Sequence, residues 1–536
     1  MPEKPFEYRR GERRAGRKPV KERKGMKKFK QLLCGLLAAA LLVCALPAAT
    51  AEGGPQGQWK DYAAGAFAGG AGTQGEPYRI ETAEQLAKLA ADVAAGSNYN
   101  GTYFLLCENI NLSAHRWNPI GSYIWQQSGS TTVKAFGGIF DGGGHTITGM
   151  YVDERESGSA AGLFGRISSN EQQGTSVPSP AVKNLTVAGA TVYASSAGMQ
   201  ETSSGILVGF CIANEGLAVQ FENIAVSGTV VNEMGDTNCI SGGLAGNVTR
   251  GAFKNCRAEN IAVSGGANSG GFVGMDTQCT FEGCTASGTL QGSWGLGGFT
   301  GYSTSAALQD ASTASAFTRC LADVHVTAGD WRAGGFAGWA ECGVFQNCAA
   351  LGDVTSEVSG WQPKAGGFAG ELGADARVAA SHAAGAVTGS NPDIPAGGFL
   401  GLDAGGTTEE CSFDGEKNAA LAAVGETDTG GTHDIAKVGT AGALAGICRD
   451  YYGGHAWGAQ PVVDKQPTCG APGSQSVRCT RCGQSQPGSQ QAIAATGRHS
   501  YENGKCTVCG AAQPGQGAGE GAAPAPAQKP NPKTGV

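Results

Sequence analysis

Gly243-Leu244-Ala245-Gly246, Gly271-Phe272-Val273-Gly274, Gly298-Phe299-Thr300-Gly301, Gly335-Phe336-Ala337-Gly338, Gly367-Phe368-Ala369-Gly370 and Gly398-Phe399-Leu400-Gly401 are six near copies of one phrase, each preceded by a further glycine. Their first glycines lie 28, 27, 37, 32 and 31 residues apart. A unit of this size predicts a repeat architecture, in which each unit buries its apolar face only by stacking on its neighbours. Working outward, Phe221-Glu222-Asn223-Ile224, Phe253-Lys254-Asn255-Cys256, Phe281-Glu282-Gly283-Cys284, Phe317-Thr318-Arg319-Cys320 and Phe345-Gln346-Asn347-Cys348 open successive units. Val182-Lys183-Asn184-Leu185 opens an earlier, divergent one. Short strand-like runs such as 260–263 and 322–326 follow, with no helical stretch between. The pattern predicts an all-β chain wound as a β-helix, or solenoid. Glycine ahead of the apolar pair suits a corner where a Cβ would clash. Stacked coils then set equivalent side chains about 4.8 Å apart.

Stacking also accounts for the cysteines. Cys256, Cys284, Cys320, Cys348 and Cys411 are expected in one inward column, with His382 at the same place in the intervening unit. A small side chain with a polarizable sulfur fills such a position. Neighbours in one column project in parallel, which suits disulfide geometry poorly. A ladder also spreads along an axis, whereas a metal needs ligands around a point. Buried thiols are favoured, with disulfides the alternative that an exported chain allows.

Upstream, one clear helix is expected over Glu81 to Gly96. Thr82 and Gln85 make a capping box, and Leu86, Leu89, Ala90 and Val93 form one apolar face. At the start of a solenoid, such a helix would cap an open end that otherwise offers unpaired backbone. Tyr103 to Leu106 and Gly138 to Phe140 read as the first strands. Glu76-Pro77-Tyr78-Arg79-Ile80 leads into the helix; Trp117-Asn118-Pro119-Ile120-Gly121 and Phe140-Asp141-Gly142-Gly143-Gly144-His145-Thr146-Ile147 follow it. With the glycine repeats, these motifs resemble the GLUG-motif proteins of Gram-positive bacteria, over about Glu76 to Gly446. The resemblance implies a surface protein with a right-handed parallel β-helix. Some relatives in that family carry a zinc metallopeptidase that cleaves immunoglobulin A. This chain has no His-Glu-x-x-His, so that activity is not carried over.

The two ends speak to location. No charged residue lies between Gln31 and Ala51, Met26-Lys27-Lys28-Phe29-Lys30 precedes the apolar run, and Ala49-Thr50-Ala51 follows it. That is the layout of a signal peptide over 26–51, cut between Ala51 and Glu52, so the membrane is met only in transit. A spanning anchor is the alternative, for which the run is short. Residues 1–25 read as a basic extension ahead of Met26, the better start. Residues 1–30 hold 13 of the 38 Lys+Arg and 4 of the 45 Asp+Glu, leaving 25 against 41, near −16. Nucleic acid is therefore not an expected partner. At the other end, a Gly/Ala/Pro linker over 512–536, expected to be disordered, closes with Asn531-Pro532-Lys533-Thr534-Gly535. This pentapeptide resembles sortase signals, which join a protein to peptidoglycan. Such signals run on into an apolar segment and a basic tail, whereas this sequence stops at Val536, so truncation and an accidental match both stay open.

Between solenoid and linker, over 451–511, stand His455, Cys469, Cys479, Cys482, His499, Cys506 and Cys509. Two Cys-x-x-Cys turns, each with a His ahead of it, suit a small zinc module, and a stretch so poor in apolar residues needs a staple. Disulfides and a redox pair are the alternatives. The segment resembles cysteine-rich repeats near the C-terminus of clostridial surface proteins. Assigning five of the 18 cysteines here and two to the leader leaves eleven in the solenoid, an odd number.

No catalytic constellation is recognised: a nucleophile elbow, a phosphate loop and a zinc-protease pair are all missing from the sequence. Asp141 and Asp153-Glu154-Glu156 are acids that a glycan lyase or hydrolase could use, although Asp141 reads first as a turn-former, and His145 as a residue packed beside that turn. Trp294, Trp331 and Trp361 precede the Phe of consecutive phrases by 5, 5 and 7 residues and would form a stripe on one flank. Such a stripe could hold sugar rings or a protein surface, or simply cover its own coils. The expectation is an exported, wall-attached β-helix over 76–450, joined to the signal peptide by a linker at 52–75, that acts as an adhesin for host or microbial glycans or proteins. A glycan-active enzyme and a structural spacer are the alternatives.

Overall fold

The computed structural model describes residues 54–514 apart from 126–130, 170–176, 196–201, 234–238, 306–312, 330, 358–363 and 390–395. The signal segment with Ala51 and Glu52, Trp361, and Asn531 to Gly535 lie outside the described residues. Among the described residues no helix is long and apolar enough to cross a membrane.

Among the described residues, 34 strands form one parallel sheet wound as a solenoid, each strand pairing with its counterpart one unit later. Phe253, Phe281, Phe317 and Phe345 stand in register, their rings stacked 5.0, 4.7 and 4.5 Å apart. The phrase residues Phe272, Phe299, Phe336, Phe368 and Phe399 make a second file at 4.6 to 5.0 Å. The two files meet edge to face; Phe336 and Phe345, for example, have centroids 5.8 Å apart and planes at 88°. All these rings are buried. The glycine pairs follow from close approach. A Cβ on Gly335 would lie 2.2 Å from the Gly367 carbonyl oxygen of the next coil, and one on Gly334 1.9 Å from that of Ala337 in its own turn.

The Phe-x-Asn opening has a backbone cause. Asn184, Asn223, Asn255 and Asn347 take left-handed φ of 52, 55, 53 and 57°, and Gly283 takes 62°. Asn tolerates that conformation, and the Asn223 amide donates to Asn184 Oδ1 at 3.0 Å. Arg319, Ala380 and Glu410 adopt it without such relief, at φ 49, 45 and 52°. Ala380→Gly is therefore expected to stabilise the chain by about 1 kcal/mol, read as a higher urea midpoint; a lower midpoint would show that the methyl group matters more than the strain.

The next residue in each unit is the sulfur column. Register aligns Ile224, Cys256, Cys284, Cys320 and Cys348. In the following unit the place belongs to Ser381, not to the expected His382, because His382 pairs with Ala349 and Ser412. Adjacent strand residues face opposite sides, so the imidazole points out of the column and Ser381, nearly isosteric with Cys, fills it. Each of Cys256, Cys320, Cys348 and Cys411 directs Sγ to a carbonyl of the preceding coil, such as Phe221 O at 3.5 Å from Cys256. Burial pushes the Cys256, Cys284 and Cys320 thiols well up.

The expected helix is α1, Ala83–Ala95, with the Thr82 hydroxyl accepting from the Gln85 amide and Gly96 in left-handed conformation behind it. Its Leu86, Leu89, Ala90 and Val93 join the solenoid core. Residues 54–75, expected to link the leader to the solenoid, are packed on it: Trp59 is buried and donates its indole N–H to the Leu112 carbonyl at 2.9 Å. A second helix, α2, Thr440–Asp450, lies where the solenoid was expected to run to residue 450. Beyond it come the antiparallel strands Val462–Lys465, Gly473–Ser476 and Gln491–Ile493 and a small hairpin.

Candidate metal centres and an aromatic flank

Helix α2 is held on the solenoid by Ala443 and Ile447, which pack with Leu321, Ala349 and Ala384. Gly446 permits a close seat, since a Cβ there would meet the His382 ring at 2.6 Å. His382 Nε2 lies 2.7 Å from Asp450 Oδ2 and Nδ1 lies 2.8 Å from Ser412 Oγ. With Asp450 ionised, Nε2 donates and Nδ1 accepts from the hydroxyl. Burial holds the His382 pKa down, keeping the ring neutral.

Cys448 of the same helix joins His455, Cys479 and Cys482, and a second set gathers Cys469, His499, Cys506 and Cys509. In each set one donor atom per residue lies within 4.8 Å of every other. Cys448 and Cys479 sulfurs are 3.8 Å apart and Cys469 and Cys506 sulfurs 3.5 Å. Cys482 Sγ is 3.2 Å from His455 Nδ1, and Cys509 Sγ 3.3 Å from His499 Nδ1. Four donors about 2.3 Å from a central ion would stand about 3.8 Å from one another, whereas bonded sulfurs stand about 2.05 Å apart. Both sets thus suit a tetrahedral centre of three thiolates and an imidazole.

The local chain builds the donors. Both turns read Cys-x-x-Cys-Gly, with Gly483 and Gly510 left-handed at φ 72 and 73° and their amides donating to Cys479 and Cys506 carbonyls at 2.9 Å. Inside the turns, amides face the first sulfur. Those of Cys509 and Val508 pull the Cys506 thiol down to about 5. At Cys479 burial raises the value, but the Cys482 and Arg481 amides and His455 outweigh it and bring the thiol down to about 6. A stabilised thiolate is what a metal requires, and each set holds one. Burial and the neighbouring sulfurs push Cys448 up to about 12, and the Cys509 sulfur, with burial, pushes Cys469 up to about 11.

All seven sequence-named ligands are brought into these sets, but as two centres, with Cys469 in the second and Cys448 added to the first. Moving Cys448 out of the solenoid leaves ten cysteines there, an even number in place of the expected eleven, so the count does not by itself exclude complete disulfide pairing within the solenoid. Cys448 was hidden because its helix reads as the end of the repeats. Its seven-residue distance from His455, equal to that from His499 to Cys506, was the available signal.

Of the three tryptophans, Trp294 and Trp331 come together with centroids 5.8 Å apart, and both are partly buried. The file does not extend upstream, because Trp294 stands over the buried Ala267. A neighbouring outward file was missed: Met275, Tyr302, Trp339, Glu371 and Leu402 are in register. Tyr302 and Trp339 stack at 4.4 Å, and Arg332 lies between Trp331 and Trp339 at 4.0 and 4.1 Å from their rings while paired with Glu371. Met275, Tyr302 and Trp339 each stand three residues after the Phe of their phrase, which is the sequence signal.

Of the candidate acids, Asp141, Asp153 and Glu154 are engaged internally. Asp141 Oδ1 accepts from the Gly143 amide at 3.0 Å and from Asn184 at 3.1 Å, and its Oδ2 faces Lys183 at 3.2 Å. Burial pushes its pKa up, but these donors hold it below the usual carboxylate range. Asp153 is held low by Arg155, which also binds Glu233 at 2.9 Å. Glu154 is bound by Ser157, Glu156 is exposed, and the His145 amide donates to Gly142 at 2.8 Å.

No protein-family model matches the chain. Among curated proteins, "Halomucin" of Haloquadratum walsbyi is 30% identical over 183 residues, 34% of this chain and 2% of that one. "Putative Gly-rich membrane protein" of Evansella cellulosilytica is 36% identical over 112 residues, 19% of this chain and 11% of that one. The chain therefore spans a small fraction of either relative's length. A solved "putative immunoglobulin A1 protease" from Bacteroides ovatus covers 74% of this chain and 93% of its own at 17% identity, with a TM-score of 0.37. By sequence, then, the chain is similar over part of its length to a halomucin and to a glycine-rich membrane protein.

Proposed function

We propose that this chain is an exported, wall-attached surface protein. Its right-handed β-helix, capped by α1, offers a binding flank to surface glycans or proteins, and zinc fills both centres of the C-terminal module. The observation that carries the binding reading is the flank on which Trp294, Trp331, Arg332, Tyr302 and Trp339 form one run of ring contacts. Flat apolar faces beside guanidinium and carboxylate groups are what sugar rings and aromatic-rich protein surfaces engage. The names of the two curated relatives fit a surface location. Asp141 and Asp153 are committed to Lys183 and Arg155, which favours binding over glycan hydrolysis.

The test is a glycan and mucin screen with the parent and with the Trp294→Ala/Trp331→Ala double variant. Loss of two central aromatic contacts is expected to weaken binding about tenfold or more. Equal binding by both proteins, or none by the parent, discards the adhesin.

A further inference from the structure

We infer that the two centres have unequal tasks: the Cys448 centre is a metal-dependent clamp that fixes the C-terminal module to the solenoid, and the Cys469 centre, with no ligand on α2, closes the module on itself. This inference rests on the reading that both centres hold zinc.

Its basis is where the first ligand comes from. Cys448 belongs to α2, and α2 belongs to the solenoid through Ala443, Ile447 and the Asp450–His382 contact. The other three ligands lie beyond the helix. Around the tetrad, Leu444 and Trp457 pack with Cys448, Cys479 and Cys482, and the Arg481 guanidinium covers the Tyr452 ring at 3.8 Å. A patch this small does not hold two units together without the metal.

The ligand order adds an interlock. Cys469 lies in the segment between His455 and Cys479, which the first centre closes, yet it serves the second centre. The interlock is mutual in chain order, since Cys479 and Cys482 lie between Cys469 and His499, which the second centre closes; what separates the two is that only the first centre takes a ligand from α2. Opening the first centre therefore releases the module from α2. Opening the second leaves Cys448 joined to its three partners.

The experiment uses the full chain with thiols reduced, loaded with zinc alone. Bound metal is counted by mass spectrometry, and amide exchange is followed over 440–457. The parent is expected to bind two zinc ions. Cys448→Ser is expected to lose one, to hold the other more weakly, and to exchange about tenfold or more faster over 440–457. Cys506→Ser is expected to lose one while exchange over 440–457 stays as in the parent. A parent that binds no zinc, or whose mass shows disulfides in these positions, overturns the zinc reading itself. A parent with two zinc ions whose Cys448→Ser variant keeps both, or keeps slow exchange over 440–457, overturns the clamp and leaves zinc standing. If Cys506→Ser opens the junction as much as Cys448→Ser does, the unequal tasks are refuted.

Discussion

Phe336→Ala is expected to lower stability by about 4 kcal/mol, in the middle of the range for a core aromatic. The ring is fully buried and stacks at 4.9 Å on Phe299 and at 5.0 Å on Phe368, with interplanar angles of 2° in both cases. Its edges meet Phe317 and Phe345 at 5.9 and 5.8 Å. Removing it takes one member from each of four ring pairs and opens a cavity bounded by other coils. Those coils cannot collapse into the space, because glycine contacts already bring their backbones close: a Cβ on Gly367 would lie 2.2 Å from the Gly398 carbonyl oxygen. In a stacked repeat the loss falls on two neighbouring interfaces. Hydrogen exchange should therefore quicken in the coils around 299, 336 and 368 before the rest of the sheet. Phe336→Leu, which keeps most of the volume, should lose less than half as much. If Phe336→Ala unfolds at the parent's urea midpoint, the stacked files contribute little to the fold.

How much of this was legible in the sequence differs between solenoid and module, for a physical reason. In the solenoid one position in each unit meets the same position in the next, so a periodic text reports directly on contacts. Both phenylalanine files and the cysteine column are therefore readable without a structure. The column fails at one place, Ser381-His382, where the reading followed the more conspicuous side chain. Strand alternation, which makes neighbouring residues face opposite ways, decides for the smaller one. The module has no such period. Its donors were nameable because Cys-x-x-Cys-Gly turns force two sulfurs together. Their division into tetrads depends on tertiary placement, since Cys469 skips over a complete turn to reach its partners and Cys448 arrives from a helix. The flank was half legible: Trp294 and Trp331 were named, while Tyr302, Trp339 and Arg332 share their surface through register and side-chain direction.

Asp276→Asn is expected to make the chain more stable at pH 8 by up to about 3 kcal/mol and to flatten part of its pH dependence. Asp276 is fully buried inside the solenoid. It accepts hydrogen bonds from Thr300 at 2.6 Å and Ser303 at 2.9 Å, and among the described residues it has no ion pair. Hydroxyl donors favour the carboxylate, but burial outweighs them and raises the pKa from 3.8 to about 6. An acid whose folded value is raised takes up its proton more readily when folded, so its penalty is full above about pH 6 and gone below about pH 4. Stability from this group therefore rises as the solution is acidified through that window. Asp141, Asp153 and Asp403, whose values are lowered, act in the opposite sense and lose stability in acid. Only the difference between parent and variant isolates Asp276. Urea melts of both at pH 4, 5, 6 and 8 should show the advantage of asparagine shrinking steadily towards acid. A difference independent of pH would mean that Asp276 titrates alike in the folded and unfolded chain, and a variant less stable at every pH would mean that the carboxylate is satisfied by its hydroxyl partners.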